Sequence, residues 1–283
     1  MTDATLLPGF EERWAEIRGI RLRAYVGGPA EAEALVLVHG LGGAAANWTL
    51  LAPDLARRRR VLVIDLPGHG GSDPLPAAPS LAPYADRVGD FVERERLGAA
   101  DFVGHSLGGL IALRLAVRRP ELVRSVVLAA AAGISSSTRR AERMLALLGW
   151  LQPGRKISPH WRKVAASGVL REAVFGYWGA ADPASLSARA VEGLLRDVNL
   201  HTDTASAWRA LTRDDPRRDL HDVRCPCLVL WGARDNQLPL ADAFDYARRL
   251  GAPLRVIAEC GHLLIAERPD ACLDAIDRFL LTR

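Results

Sequence analysis

The stretch Val103-Gly104-His105-Ser106-Leu107-Gly108-Gly109 constrains the fold most, because a serine flanked by glycines stands between a strand-like run and a helix-like run. Asp101-Phe102-Val103 is short and β-prone. Leu107, Leu110, Ile111, Leu113 and Leu115, with Arg114, Arg118 and Arg119, have the spacing of a largely buried helix with one polar edge. The serine therefore sits on a sharp strand-to-helix turn, the layout that presents a nucleophile. Gly104 and Gly108 leave room for strand and helix to approach closely. Chance alone would give roughly 0.1 Gly-x-Ser-x-Gly matches in a chain with this many glycines, so the flanking pattern carries the reading.

Three other segments repeat the theme of a strand ending in glycines or in a reactive group. Ala34-Leu35-Val36-Leu37-Val38 is continuously apolar, the sign of a strand covered on both faces, and runs into His39-Gly40-Leu41-Gly42-Gly43. Cys227-Leu228-Val229-Leu230-Trp231 is followed by Gly232-Ala233-Arg234-Asp235, and Leu254-Arg255-Val256-Ile257 by Glu259-Cys260-Gly261-His262. In an open parallel sheet the loops after the carboxyl ends of strands converge on one crevice, so these groups can meet there.

With serine, aspartate and histidine in that order, each after a strand, the chain resembles the α/β-hydrolase family over nearly its whole length. Asp65-Leu66-Pro67-Gly68-His69-Gly70-Gly71-Ser72 resembles the family's loop after the next core strand, and Glu267-Arg268-Pro269 its segment after the histidine. The resemblance implies an α/β fold with a mostly parallel central sheet, helices on both faces and an inserted helical cap. It assigns Ser106 as nucleophile, His262 as general base, Asp235 as the acid orienting the histidine, and the backbone N–H groups of Leu41 and Leu107 as oxyanion donors. Asp214, Asp215, Asp219 and Asp222 compete with Asp235 but follow no recognisable strand. Segment Ala129 to Gly133, the alternative place for the acid in this family, holds no carboxylate. His39, His69 and His105 lie in motif loops but not after the acid, and His105 is expected to pack beneath the serine turn.

The rest of the chain reads as alternating elements. Trp14 to Val26 forms two short strands turning near Gly19. A helix runs from Trp48 to the basic run Arg57 to Arg60, whose cations complement its dipole. Val61 to Asp65 is a strand, Tyr84 to Leu97 a helix with Val88, Phe91 and Val92 inward, and Val123 to Ala129 a strand after Pro120 stops the serine helix. Pro74 to Pro83 is a loop beside the mouth of the site. The alternation then breaks, and residues 134–223 are expected to form the helical cap over a core of residues 1–133 and 224–283. This insertion holds Trp150, Trp161, Trp178 and Trp208, four of the seven tryptophans. Its first half is basic, with Arg139, Arg140, Arg143, Arg155, Lys156, Arg162, Lys163 and Arg171. Met144, Leu145, Leu147, Leu148, Trp150 and Leu151 give that half an apolar face, which reads as a solvated amphipathic helix rather than one resting on lipid.

With 49% hydrophobic residues the chain can bury a large core. Its net charge of +4 comes from dispersed arginines without a nucleic-acid fold signature, so no nucleic-acid partner is expected. The amino terminus shows neither a signal peptide nor a span, so the expected setting is cytoplasmic. Cys225, Cys227, Cys260 and Cys272 lack the spacing of a disulfide framework or zinc site and read as reduced core residues. No metal or cofactor is implied. The implied activity is cleavage of a small carboxylic ester through an acyl-enzyme, as by a carboxylesterase or monoacylglycerol-type lipase. Serine in place of aspartate at the turn, and Gly42 where proline is usual, argue against dehalogenase and epoxide hydrolase chemistry. Carbon–carbon hydrolases often carry asparagine before the serine and an aromatic after the histidine, where His105 and Leu263 stand here, and so come second. Lactonases and perhydrolases share the same constellation; a slow-turnover ligand receptor or an acyltransferase would be different classes built on it.

Overall fold

Eight strands form one sheet in the computed structural model, which describes residues 7–77, 80–135, 153–176 and 179–283. They are β1 (Phe10–Ile17), β2 (Ile20–Gly27), β3 (Ala34–Val38), β4 (Arg60–Ile64), β5 (Ala100–His105), β6 (Val123–Ala129), β7 (Cys227–Gly232) and β8 (Leu254–Ile257). The spatial order is β1-β2-β4-β3-β5-β6-β7-β8. The first two strands form an antiparallel hairpin, β2 pairs antiparallel with β4, and every later pairing is parallel. The hairpin turns at Arg18 and Gly19, both in the left-handed region that such a turn requires.

The continuous apolar runs have the cause inferred from sequence. Side chains alternate between faces along a strand, and every residue of β3, β5 and β7 is buried, so the sheet is covered on both faces. The helices Ala82–Arg94, Leu107–Arg118, Leu240–Leu250 and Pro269–Thr282 provide the cover. Val88, Phe91 and Val92 point inward as the spacing predicts. The edge strands differ: β1 exposes Glu11, Glu12, Arg13 and Trp14, and the two central residues of β8 face solvent, which disfavours pairing with another chain.

Register positions the site. Gly104 pairs with Val38 and Leu128, Val38 with Ile64, Ala129 with His105 and Leu230, and Gly232 with Ile257. The carboxyl ends of six strands therefore form one rim, from which the loops carrying His39, Asp65, Ser106, Ala130, Asp235 and His262 all emerge.

Two readings from sequence are corrected. The helix expected from Trp48 to Arg60 is only the one-turn segments Ala45–Trp48 and Ala52–Leu55. The basic run is consequently not a helix cap: Arg57 pairs with Asp54, Arg59 is buried against Asp277, and Arg60 begins β4. The apolar face proposed for Met144 to Leu151, with Trp150, lies outside the described residues, as do Trp178, Arg139, Arg140 and Arg143. Between β6 and β7 the described residues form short helices, the longest being Ala188–Leu195 and Thr204–Thr212. Val164, Phe175, Leu186, Val191 and Leu195 build a small second core, and it closes on Leu263 and Ala266, immediately beyond His262. A strut of charges fixes the end of this segment, where Arg114 binds Asp214 and Asp219 together. Two rivals of Asp235 are thus committed to structure. All four cysteines are free thiols, and all but Cys225 are fully buried.

A Cβ on Gly108 would lie 2.2 Å from the carbonyl oxygen of Val38 and 2.6 Å from that of His39, and one on Gly104 would lie 2.4 Å from the carbonyl of Gly108. Strand β5 and the following helix are in backbone contact, with no flexible side chain to give way. Gly108→Ala is therefore expected to lower the free energy of unfolding by at least about 2 kcal/mol in urea titrations. Unchanged stability would show that this helix and the end of β3 are not packed this closely.

Candidate active site

Ser106 stands between β5 and the Leu107–Arg118 helix with φ 53° and ψ −116°, a conformation costly for a residue with a side chain. Hydrogen bonds hold it there. Its N–H donates to Ala129 at the end of β6 (2.9 Å), and its carbonyl accepts from Ala132 and Gly109 (3.0 Å each). The strain tips the hydroxyl out of the rim, where His262 Nε2 lies 3.1 Å from Ser106 Oγ. On the other side of the ring, His262 Nδ1 donates to Asp235 Oδ2 at 2.8 Å.

The Asp235 carboxylate is fully enclosed, and both of its oxygens are engaged. Oδ1 accepts the N–H groups of Gln237 and Leu238 at 2.8 Å each, so the turn after β7 aims Oδ2 at the histidine. The structure thus brings together all three side chains that the sequence singled out, although 156 residues separate serine from histidine. Both backbone groups proposed as oxyanion donors flank the serine. Leu107 is the first residue of its helix, so its N–H has no acceptor one turn back and lies at the positive end of the helix dipole. Leu41 sits in the turn after β3, which closes by donation from Gly43 N–H to the Gly40 carbonyl (3.1 Å). A Cβ on Gly40 would lie 3.1 Å from Ser106 Cβ, which places this turn against the serine.

Positioning groups missed in the sequence surround this chain. His105 does pack beneath the serine turn, as expected, but it also donates from Nε2 to the carbonyl of His262 (2.9 Å), its ring 5.0 Å from that of His262. Glu267 accepts from Gly261 N–H at 3.1 Å and from Ala181 N–H at 2.7 Å, and His262 N–H donates to the Gly179 carbonyl (2.6 Å). The histidine loop is therefore held from below by the core and from the side by the β6–β7 segment. Glu267 was visible in its Glu-Arg-Pro motif; nothing in the sequence linked residues 179–181 to the site.

On the serine's other flank, the buried Asp65 carboxylate accepts from Ala45 N–H (2.7 Å), Gly71 N–H (3.0 Å) and Arg23 Nε (2.6 Å). Arg23 reaches on to Asp197 in the β6–β7 segment at 2.5 Å. Among the described residues no three His, Cys, Asp or Glu side chains converge as a metal site would need, and no helix is long and apolar enough to cross a membrane.

Four histidines near the site are held neutral by burial. Desolvation drives His105 down to about 3 and His39 to about 4, and lowers His69 and His201 as well. The unfolded chain protonates such rings near pH 6.5, so unfolding takes up protons from about pH 6.5 downward, to about 4 for His39 and about 3 for His105. Stability is then full above this window and is lost as the pH falls through it. Urea unfolding at pH 7.5, 6.5 and 5.5 is expected to show stability falling as the pH falls; a flat profile would contradict burial of these rings.

The alpha/beta hydrolase fold family matches residues 33–269. The chain is 32% identical over 261 residues to the dihydrolipoyllysine-residue acetyltransferase component of the acetoin cleaving system of Pseudomonas putida, a match covering 89% of this chain and 65% of that protein. It thus spans just under two thirds of that relative's length. It is 29% identical over 247 residues to the 2-hydroxymuconate semialdehyde hydrolase of Pseudomonas sp. strain CF600, covering 81% of this chain and 80% of the other. Among solved structures, a membrane phospholipase A described as a bacterial virulence factor superposes with a TM-score of 0.76 at 25% identity, covering 96% of this chain and 86% of that one.

Proposed function

The chain belongs to the alpha/beta hydrolase fold family, and from that premise we propose that it is a serine hydrolase cleaving carboxylic esters through an acyl-enzyme on Ser106. The observation that carries this reading is the unbroken hydrogen-bond chain Ser106–His262–Asp235, 3.1 and 2.8 Å long, with its serine on a strained turn. In the first half-reaction Ser106 Oγ attacks the ester carbonyl while His262 Nε2 takes the hydroxyl proton. The carbonyl oxygen, now anionic, is held by the N–H groups of Leu41 and Leu107. The imidazolium gives its proton to the departing alcohol, and the tetrahedral centre collapses to the acyl-serine. Water then attacks the acyl carbon with His262 again as base, releasing the acid and restoring the serine. Asp235 keeps the proton of the resting ring on Nδ1 and stabilises the imidazolium, since the two backbone donors on its other oxygen prevent the carboxylate from turning away.

In this reading residues 1–133 and 224–283 are the catalytic core and residues 134–223 the cap that shapes the acyl pocket. Bonds from the rim to Gly179, Ala181 and Asp197 support that division. The similarity to a phospholipase A supports ester cleavage. The 2-hydroxymuconate semialdehyde hydrolase relative makes carbon–carbon cleavage the second reading, and the acetyltransferase relative makes transfer to an alcohol or thiol the third.

A p-nitrophenyl ester series from acetyl to palmitoyl tests the proposal, with a vinylogous 1,5-diketone and a thiol acceptor alongside. Ester turnover is expected, with Ser106→Ala and His262→Ala lowering kcat by at least about 10⁴-fold and Asp235→Asn by about 10³- to 10⁴-fold. Ester turnover that survives Ser106→Ala would refute the mechanism. A wild-type enzyme inert on esters but active on the diketone, or acylating the thiol in preference to water, would move it to the second or third reading.

A further inference from the structure

His201 lies between β6 and β7, far in sequence from every motif of the site, yet it reaches the turn that carries Leu41. Its Nε2 donates to the Gly42 carbonyl at 2.9 Å, and its Nδ1 accepts from Gly70 N–H at 2.8 Å. The ring is buried, which favours the neutral form, and only the neutral form has one donor and one acceptor to match these partners.

The turn has need of such a partner. Within a trans peptide the C=O and N–H point in opposite directions, so fixing the Gly40 carbonyl fixes where the Leu41 N–H points. His39 supplies that restraint at one end: its Nδ1 donates to the Gly40 carbonyl at 2.7 Å, while its Nε2 accepts from Leu66 N–H at 3.0 Å. At the other end stands Gly42, in the left-handed region at φ 69°, and a Cβ placed on it would meet nothing within 4 Å. A side chain at Gly42 would thus meet open space, and the Gly42–Gly43 peptide is held by two hydrogen bonds: within the turn Gly43 N–H donates to the Gly40 carbonyl, and from outside it His201 donates to the Gly42 carbonyl, reaching in from the β6–β7 segment rather than from the core.

We infer that His201 is a positioning residue for the oxyanion turn, clamping the Gly42–Gly43 peptide as His39 clamps the Gly40–Leu41 peptide, so that the Leu41 N–H is aimed before substrate arrives. The inference rests on the ester-hydrolase reading above for what the turn does, but the clamp itself is a matter of hydrogen bonds. An oxyanion donor works because it is already oriented when charge develops. A loosened turn should therefore lower kcat while leaving ground-state binding nearly intact.

Three substitutions separate the two bonds of the ring. His201→Gln can keep a donor where Nε2 stands, His201→Asn can keep an acceptor where Nδ1 stands, and His201→Leu keeps neither. With thermal melts confirming that each variant folds, Leu and Asn are expected to lower kcat about 10- to 100-fold with KM within about 3-fold, while Gln retains most of the wild-type rate. Affinity for a boronic acid mimicking the tetrahedral adduct should fall in parallel with kcat. Equal losses for Gln and Asn, or a rise in KM at unchanged kcat, would overturn the role. Amide hydrogen exchange over residues 39–46 reads the clamp without turnover: faster exchange in Leu and Asn but not in Gln supports it, and unchanged exchange in all three overturns it. Were esters not turned over at all, the exchange result would still decide the clamp, and the ester-hydrolase reading alone would fail.

Discussion

The backbone of Ser106, held at positive φ between a strand and a helix, is the constraint on which the site depends. Such a conformation costs of the order of 1–3 kcal/mol and persists only where neighbours enforce it. Here the enforcement comes from Ala129 at the end of β6, from Ala132 in the loop after it, and from the helix that begins at Leu107. That helix can start so abruptly only because Gly104 and Gly108 let backbone meet backbone. The turn in turn requires that β3, β5 and β6 be neighbours in register, since the loop after β3 packs against Ser106 and the end of β6 supplies hydrogen bonds. The sheet order is thus a condition of the serine's geometry.

Around the serine the carboxylates and most of the histidines are paired, His69 Nε2 being a buried nitrogen without a hydrogen-bond partner among the described residues. Asp235 and Asp65 are carboxylates with no exposed side-chain surface, and each receives two backbone N–H donors and one charged or ionisable side chain. His39, His105 and His201 each bond a carbonyl of a loop bearing a reacting group or a proposed oxyanion donor. Neutral rings suit this task because a single tautomer donates at one nitrogen and accepts at the other. The result is a site whose loops are tied by directional bonds more than by apolar packing, consistent with catalysis by preorganised dipoles. The β6–β7 segment takes part in this network through Gly179, Ala181, Asp197 and His201.

Much of this was legible in the sequence, for identifiable reasons. Strands buried on both faces are continuously apolar, which marks β3 and β7 almost to the residue, and groups that follow strand ends converge on one rim, where Ser106, Asp235 and His262 meet. Arg57 to Arg60 misled because a basic run after an aromatic residue has the composition of a helix end, whereas the geometry there is two one-turn segments and the start of β4. His105 was read as packing only, because a donor–acceptor relation to the carbonyl of His262 is invisible until the fold brings them within 2.9 Å. His201 left no signal at all: it has no motif neighbours, and its two partners are backbone atoms of Gly42 and Gly70, which any sequence would supply.

The proposed function turns on acylation of Ser106 itself, which rapid-quench intact-mass spectrometry reads. Mixing the enzyme with a p-nitrophenyl ester and quenching within the first turnover is predicted to give a protein heavier by one acyl group, located by proteolysis on the peptide containing Ser106 and absent in Ser106→Ala. An acyl adduct on another residue, or product release with no adduct at any quench time under burst conditions, would contradict the account.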